Sequence, residues 1–378
     1  MRSWPLLNRT MKKRSPQGLL PRRPCAKQET QVDRASGKAR CDTPVQPDRF
    51  DIAVVGAGPA GATAARLLCH TGRLVALIDP GQAAIARLEI LAPSSMGVVH
   101  ALQLEQALLD PTIARPCAGI RRRWASQRSE FDDFLSRPGG QGFVIDRTSF
   151  DGRLRALAFA AGAIKIDGRL LDIHRNQDGF ELIVKSGVDM TRVSTSLVID
   201  ASGRPAAAAC RLGAKRIVNE RLIAERELLD KSGAASQEAV WLDVESRERG
   251  WSYSIFGPDG RRESWSVHPG DNRRTARDRV VNASAAYLAQ AAGRGWIAVG
   301  DAAAAFDPIA SQGLANALSS AMVSAGAIVS EGGITAKVAL NYSGAMLTTF
   351  EHSERGRDAV YEAIRRLGAE RHHQNARN

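Results

Sequence analysis

Long apolar runs are missing from this 378-residue chain. The most apolar helical stretch, Leu314 to Val329, is broken by Asn316, three serines and Gly326, so the sequence predicts no membrane span. Cysteine is sparse. The five cysteines, at 25, 41, 69, 117 and 210, are odd in number and form no C-x-x-C pair, which argues against a disulfide framework or a zinc site and fits a reducing cytoplasm. There is no H-x-x-x-H pair to suggest a metal and no G-x-S-x-G turn to suggest a hydrolase. Aromatic residues make up only 5 % of the chain, so where they cluster is informative.

Net charge is +12, but it is unevenly spread. Residues 1–50 carry twelve Lys and Arg against four Asp and Glu, a net +8, which leaves +4 for the other 328 residues. That first segment has six prolines and no apolar periodicity, so it reads as a disordered basic extension, either dispensable or an arm for an acidic partner. No apolar stretch follows its charges, so it is not read as a secretory signal. Nothing in the remainder implies nucleic acid. The hydrophobic content of 44 % is enough for a sizeable core, and the length favours two lobes.

What is present begins at Asp51. Ile52 to Val55 form a short apolar run that ends in Gly56-Ala-Gly58-Pro59-Ala60-Gly61, an Ala-rich helix follows to Cys69, and Leu74 to Ile78 leads to Asp79. This reads as strand, tight turn, helix, strand. Gly56 permits the turn, Gly58 admits a pyrophosphate against the backbone, and Gly61 lets the helix pack on the sheet with its N-terminus toward the anion. Asp79 ends the second strand 18 residues after Gly61, where a carboxylate can bond an adenosine ribose.

Further along, the segment to Gly140 is irregular, with helical stretches near Ala101 to Leu109 and a basic aromatic patch at Ile120-Arg-Arg-Arg-Trp124. Phe143 to Asp146 reads as a strand, followed by a helix over Phe150 to Ala161 with Thr148 or Ser149 as N-cap. Gly162 to Lys185 alternates with period two, an antiparallel excursion. Leu197-Val-Ile-Asp200-Ala-Ser-Gly203 is a buried strand ending in small residues. Three strands between 239 and 268 carry Trp241, Trp251, Tyr253 and Trp265, and Trp251, Tyr253 and Trp265 are candidates to line an apolar substrate pocket. Finally, a strand through Ile297 delivers Gly300-Asp301, and a loop with Asp307-Pro308 leads to a small-residue helix starting at Gln312-Gly313.

With these three glycine-bearing stretches in order, the chain resembles the FAD-dependent group-A monooxygenases, the superfamily of p-hydroxybenzoate hydroxylase and the tryptophan halogenases. The likeness spans about Asp51 to Tyr361. It implies an α/β fold, a Rossmann-like FAD-binding domain of glutathione-reductase type with an interleaved mixed β-sheet substrate domain. On that reading residues 51–85, 141–215 and 282–330 bind FAD, 86–140 and 216–281 form the substrate domain, and 331–378 are a C-terminal helical segment. The resemblance places Arg147 at the FAD phosphates or ribityl, Asp301 on the ribityl chain, Pro308 beside the isoalloxazine, and the backbone of Gln312, Gly313 and Leu314 facing its N1 and C2 carbonyl.

Within the superfamily the chain is most similar to the maturases of tryptophylquinone-type cofactor enzymes, the lysine-oxidase and glycine-oxidase maturation flavoproteins. Cys117 to Trp124, Gly142 to Arg147, Gly250-Trp-Ser-Tyr253 and the loop of Gly300 to Gly313 carry that likeness. The implied reaction is insertion of oxygen from O2 into an electron-rich ring, a small molecule or a tryptophan of a partner polypeptide, with NAD(P)H or reduced flavin as transient electron donor. Halogenases need a lysine in the segment after the second strand, and none stands between Lys38 and Lys165, so halogenation is not expected. The rivals are another FAD-dependent reaction, dehydrogenation or reduction of the geranylgeranyl-reductase kind, and a flavin-loaded partner-binding factor without chemistry. The last draws on a His268-to-Trp296 link that lacks helical material. No acid–base residue can be named; His100 and His268 are candidates by elimination only.

Overall fold

In a computed structural model, described at residues 47, 49–81, 85–124, 128–270 and 279–375, the chain builds three sheets. The basic extension at 1–46 lies outside the described residues. The first sheet runs Ala292–Gly293, Trp296–Ala298, Asp189–Asp200, Phe50–Val55, Val75–Asp79, Ile164–Asp167, and every neighbouring pair after the first is parallel. Its strands are covered on both faces, which is why Ile52 to Val55, Val75 to Ile78 and Leu197 to Ile199 are unbroken apolar runs. The Asp189 end of the long strand projects beyond the parallel ladder and pairs antiparallel with Phe180–Ser186, itself paired with Arg169–Arg175. The period-two stretch Gly162 to Lys185 thus holds the antiparallel strands Arg169–Arg175 and Phe180–Ser186, but its first strand, Ile164–Asp167, is a parallel edge of the main sheet.

One face of this sheet carries two helices, Pro59–Cys69 and Gly313–Glu331, packed on each other. Alanines and serines at the contact (Ala62, Ala65, Ser320, Ala321, Ser324) are buried and let the backbones approach. Gly313–Glu331 is long and apolar enough by composition to cross a membrane, yet here it is a core helix, with nine buried residues from Leu314 to Ile328.

The second sheet has nine strands and is mostly antiparallel. It includes the three aromatic strands, Val240–Arg247, Gly250–Phe256 and Arg262–Pro269, and three strands in the region expected to be irregular: Leu88–Leu91, Ala114–Arg123 and Glu130–Asp133. Gly142–Asp146 belongs to this sheet too, between Leu88–Leu91 and Ala114–Arg123. The helix that follows spans Arg147–Ala160, and its cap corrects the sequence reading. Asp146, rather than Thr148 or Ser149, is the N-cap, accepting the Ser149 N–H at 2.8 Å.

The run Arg121-Arg-Arg123 is no free basic patch. Arg121 pairs with Asp243, Arg122 with Asp132 at 2.9 Å and Arg123 with Glu245 at 3.0 Å, partners on the two flanking strands. A third, small sheet joins Arg216–Val218, Ala286–Leu288 and Ala304–Ala305. In the described part of the His268-to-Trp296 link there are short strands at Val280–Asn282, Ala286–Leu288 and Ala292–Gly293.

Candidate cofactor and substrate site

The three glycine-bearing stretches meet at the C-terminal ends of the parallel strands, the side on which ligands sit in such sheets. Gly56 has φ +103°, and a Cβ there would overlap the carbonyl of Ala201, from the second motif. A Cβ on Gly61 would collide with the Gly56 carbonyl and come within 2.9 Å of the Ala201 Cβ. Gly300 of the third motif has φ +59°, and its Cβ position is 2.9 Å from that of Ala60. Gly58 differs: no atom lies within 4 Å of its Cβ position. Two glycines are thus demanded by packing and one is left facing space, as expected where a pyrophosphate meets bare backbone. Pro59 occupies the first turn of the helix, where a missing N–H costs nothing.

Asp79 holds this loop from the neighbouring strand. Its Oδ2 accepts the Ala57 N–H at 2.9 Å and its Oδ1 the Gly81 N–H at 2.8 Å. A carboxylate has about four lone-pair directions, so capacity for ribose hydroxyls remains. Asp200, by contrast, is spent on structure: it accepts Ser202 N and Oγ on one oxygen and Ala208 and Ala209 N–H on the other, and is 1 % exposed.

Arg147 is clamped between two carboxylates. It makes a bidentate pair with Asp151 at 2.9 Å and an ion pair with Glu89. Burial works against its charge, but Glu89 and Asp151 more than offset that and raise its pKa. Burial opposes the charge of the half-buried Glu89 too, yet Arg147, Arg87 and the Leu314 N–H hold its carboxyl below the usual range. Glu89 Oε1 also stands 3.4 Å from the Cβ position of Gly313. At this helix start the Leu314 N–H is thus directed to an anion of the protein's own, Glu89, which Arg147 also pairs.

Asp301 is partly exposed and lies 3.5 Å from Arg204 Nε. Arg204 also donates to the Ser284 carbonyl, and Arg216 donates to the Asp301 carbonyl at 3.2 Å. Neither arginine is marked by the sequence reading, although Arg204 directly follows the small-residue strand end at Gly203. Next to Pro308, Asp307 is 1 % exposed and accepts the Ile309 N–H at 2.9 Å and the Tyr361 hydroxyl at 3.1 Å. The chain between Ala310 and Gln312 passes through Ser311 at φ +48°, an unusual conformation for a non-glycine.

The aromatic strands give a mixed result. Trp251 and Trp265 are 3 % and 1 % exposed and fill the core of the second sheet. Each indole N–H has a partner inside the protein: Tyr361 Oη at 3.0 Å for Trp251 and Glu263 Oε2 at 3.1 Å for Trp265, with Arg226 over the Trp265 ring. These two side chains are therefore occupied in the core rather than lining open space. Tyr253 is the partly exposed one; it packs against the core of the second sheet, its ring 5.7 Å from that of Trp251, and burial raises its pKa. His100 is exposed beside Glu105, and His268 sits near Glu225 on the second sheet, so neither converges on the site.

The comparisons agree with this geometry. The family model described as FAD binding domain matches residues 49–292. LodB of Marinomonas mediterranea, named as an FAD-dependent oxidoreductase, is 24 % identical over 353 residues, covering 84 % of this chain and 94 % of LodB. Digeranylgeranylglycerophospholipid reductase 1 of Methanosphaera stadtmanae is 30 % identical over 179 residues, covering 44 % of this chain and 40 % of the reductase. Among solved structures, the peptidyl tryptophan dihydroxylase QhpG, essential for tryptophylquinone cofactor biogenesis, is similar with TM-score 0.61 and 22 % identity over 86 % of this chain and 75 % of QhpG. The flavin-dependent brominase Bmp2 is similar with TM-score 0.66 and 18 % identity over 85 % of this chain and 93 % of Bmp2.

Proposed function

The chain belongs to the FAD-binding domain family and is an FAD-dependent oxidoreductase of the monooxygenase type, and from that premise we propose that it inserts oxygen from O2 into a tryptophan side chain of a partner polypeptide. The observation that carries this reading is one of coverage. Similarity to LodB runs over both sheets, whereas the match to the lipid reductase takes in less than half of this chain. The likeness to QhpG, whose name states a peptidyl tryptophan, supplies the substrate class.

The bound flavin supplies the redox chemistry: once reduced, it activates O2 toward an electron-rich ring. This chain's residues bind and orient. Gly58 and the start of the Pro59–Cys69 helix would hold the pyrophosphate, Asp79 the adenosine ribose and Asp301 the ribityl hydroxyls, with the loop at Pro308 beside the ring system. Tyr253, the partly exposed aromatic of the second sheet, is the residue we assign to an incoming aromatic ring.

The test is a reaction of the FAD-loaded protein with NAD(P)H or reduced flavin, 18O2 and a tryptophan-bearing partner peptide, read by mass spectrometry. Oxygen-18 in the tryptophan supports the proposal. Turnover of a substrate without label would move the protein to the reductase reading, which the 30 % identical segment favours. A stable complex with an unmodified partner would leave it a binding factor.

A further inference from the structure

Asp307, Tyr361 and Trp251 come from three parts of the fold that the reaction above does not connect. Asp307 stands in the loop before Gly313–Glu331, Tyr361 on the C-terminal helix Ala336–Asn375, and Trp251 in the second sheet. They form one hydrogen-bonded chain, and its direction is fixed by chemistry. An indole N–H can only donate, so Trp251 Nε1 donates to Tyr361 Oη at 3.0 Å. The phenol proton is then free for Asp307 Oδ2 at 3.1 Å, while Asp307 Oδ1 accepts the Ile309 N–H at 2.9 Å. Both carboxylate oxygens are acceptors in this arrangement, so the phenol donates to Asp307 when Asp307 is an anion.

The surroundings oppose that anion. Asp307 is 1 % exposed, and Tyr361 packs beside it. The charges facing it come from the C-terminal helix and the segment behind it. Arg357 attracts, and Glu354 repels. Arg357 is drawn off toward Glu354 at 3.1 Å, Asp358 at 2.7 Å and Glu220 at 3.7 Å, while Asn219 holds Glu354 at 2.9 Å. Its cation is therefore shared among several carboxylates. Burial accordingly pushes the Asp307 carboxyl up to about 6, within reach of physiological pH.

We infer that Asp307 is a pH-sensitive positioning residue that ties the Pro308–Ser311 loop to the C-terminal helix and, through Tyr361, to Trp251 of the substrate sheet. In the anionic form the loop, the helix and the sheet share one network. On protonation the acid O–H at Oδ2 becomes the donor toward Tyr361 Oη, so the bond reverses, the phenol proton loses its acceptor, and the charge-assisted tie between loop and helix weakens. The inference goes beyond the reaction proposed above and holds whichever aromatic substrate is used; it rests on the fold and on FAD binding next to Pro308 only for its second readout.

The test follows the indole N–H of Trp251 by 1H–15N spectroscopy of tryptophan-labelled full-length protein, assigned by its loss in Trp251→Phe, and the visible flavin band in parallel, across pH 5 to 8. The wild-type indole signal and flavin band should titrate together with a midpoint near pH 6. Asp307→Asn should abolish both titrations. Tyr361→Phe, which keeps the ring, should abolish the titration at Trp251 and leave it at the flavin. An indole signal that does not move over this range, or that titrates unchanged in Asp307→Asn, would overturn the inference. Should Asp307→Asn fail to retain FAD, the indole readout still decides, because it needs no cofactor.

Discussion

The backbone N–H of Ala57 donates to Oδ2 of Asp79 over 2.9 Å, joining the glycine turn to the end of the neighbouring strand 22 residues later. One carboxylate thus sets the shape of the turn, and on the proposed reading its remaining lone pairs meet the adenosine ribose. Asp79→Ala leaves a buried donor without a partner, a cost of about 1–3 kcal/mol in stability, and removes the ribose acceptor. Gly58→Ala separates the roles, since its Cβ meets nothing in the protein. It should melt within about 1 kcal/mol of wild type, the range of surface changes, yet bind FAD at least about tenfold more weakly. Thermal unfolding and flavin titration together check both variants.

Breaking the Arg147 clamp should be costly. Arg147→Leu leaves the half-buried Glu89 and Asp151 without their cation, a cost of about 1–3 kcal/mol, between that of an exposed and that of a fully buried pair. Denaturant midpoints measure it. Restoring charge alone with Arg147→Lys should recover only part, because an ammonium cannot meet Asp151 with two parallel N–H bonds.

Stability should fall as pH rises through the range set by Asp307. Burial raises its pKa from 3.8 in the unfolded chain to about 6 in the folded one, so the folded state holds the proton more tightly. Its favourable contribution is complete below about pH 4 and is lost by pH 6 to 7, about 3 kcal/mol at 1.36 kcal/mol per unit. In Asp307→Asn this part of the pH dependence of unfolding should disappear, while the slope from the exposed carboxylates stays.

Trp265 and Tyr253 should respond in opposite ways. Trp265→Ala empties the core of the second sheet and strips Glu263 of a donor, a loss of about 3–5 kcal/mol. Tyr253→Phe keeps the ring and should leave unfolding nearly unchanged while altering turnover of an aromatic substrate, read as kcat and KM on the labelled partner peptide.

The parallel half of the molecule was legible because its physics is local. Gly56, Gly58 and Gly61 follow a β-branched run and open a helix, Asp79 ends a strand and Gly300 follows one by two residues, so pattern and spacing carry the assignment. The second sheet was harder. Ala114–Arg123 contains Pro116, Gly119 and three consecutive arginines, and its alternation is hidden because Arg121, Arg122 and Arg123 are neutralised by Asp243, Asp132 and Glu245 from other strands. Such pairing is visible only in three dimensions. Glu89 and Asp307 carry no motif of their own. They matter because the fold sets Glu89 against Arg147 and Leu314, and Asp307 against Tyr361, both remote in sequence. Trp251 and Trp265 show the converse: an aromatic cluster at strand spacing filled a core, as clusters of large apolar rings tend to do.

The most direct test of FAD binding is the visible spectrum of the purified protein, followed by release and identification of its cofactor. One FAD per chain, bound through the turn at Gly58 and lost in Gly58→Ala, is the expected result. A colourless protein that takes up no FAD on reconstitution would contradict the account at its centre.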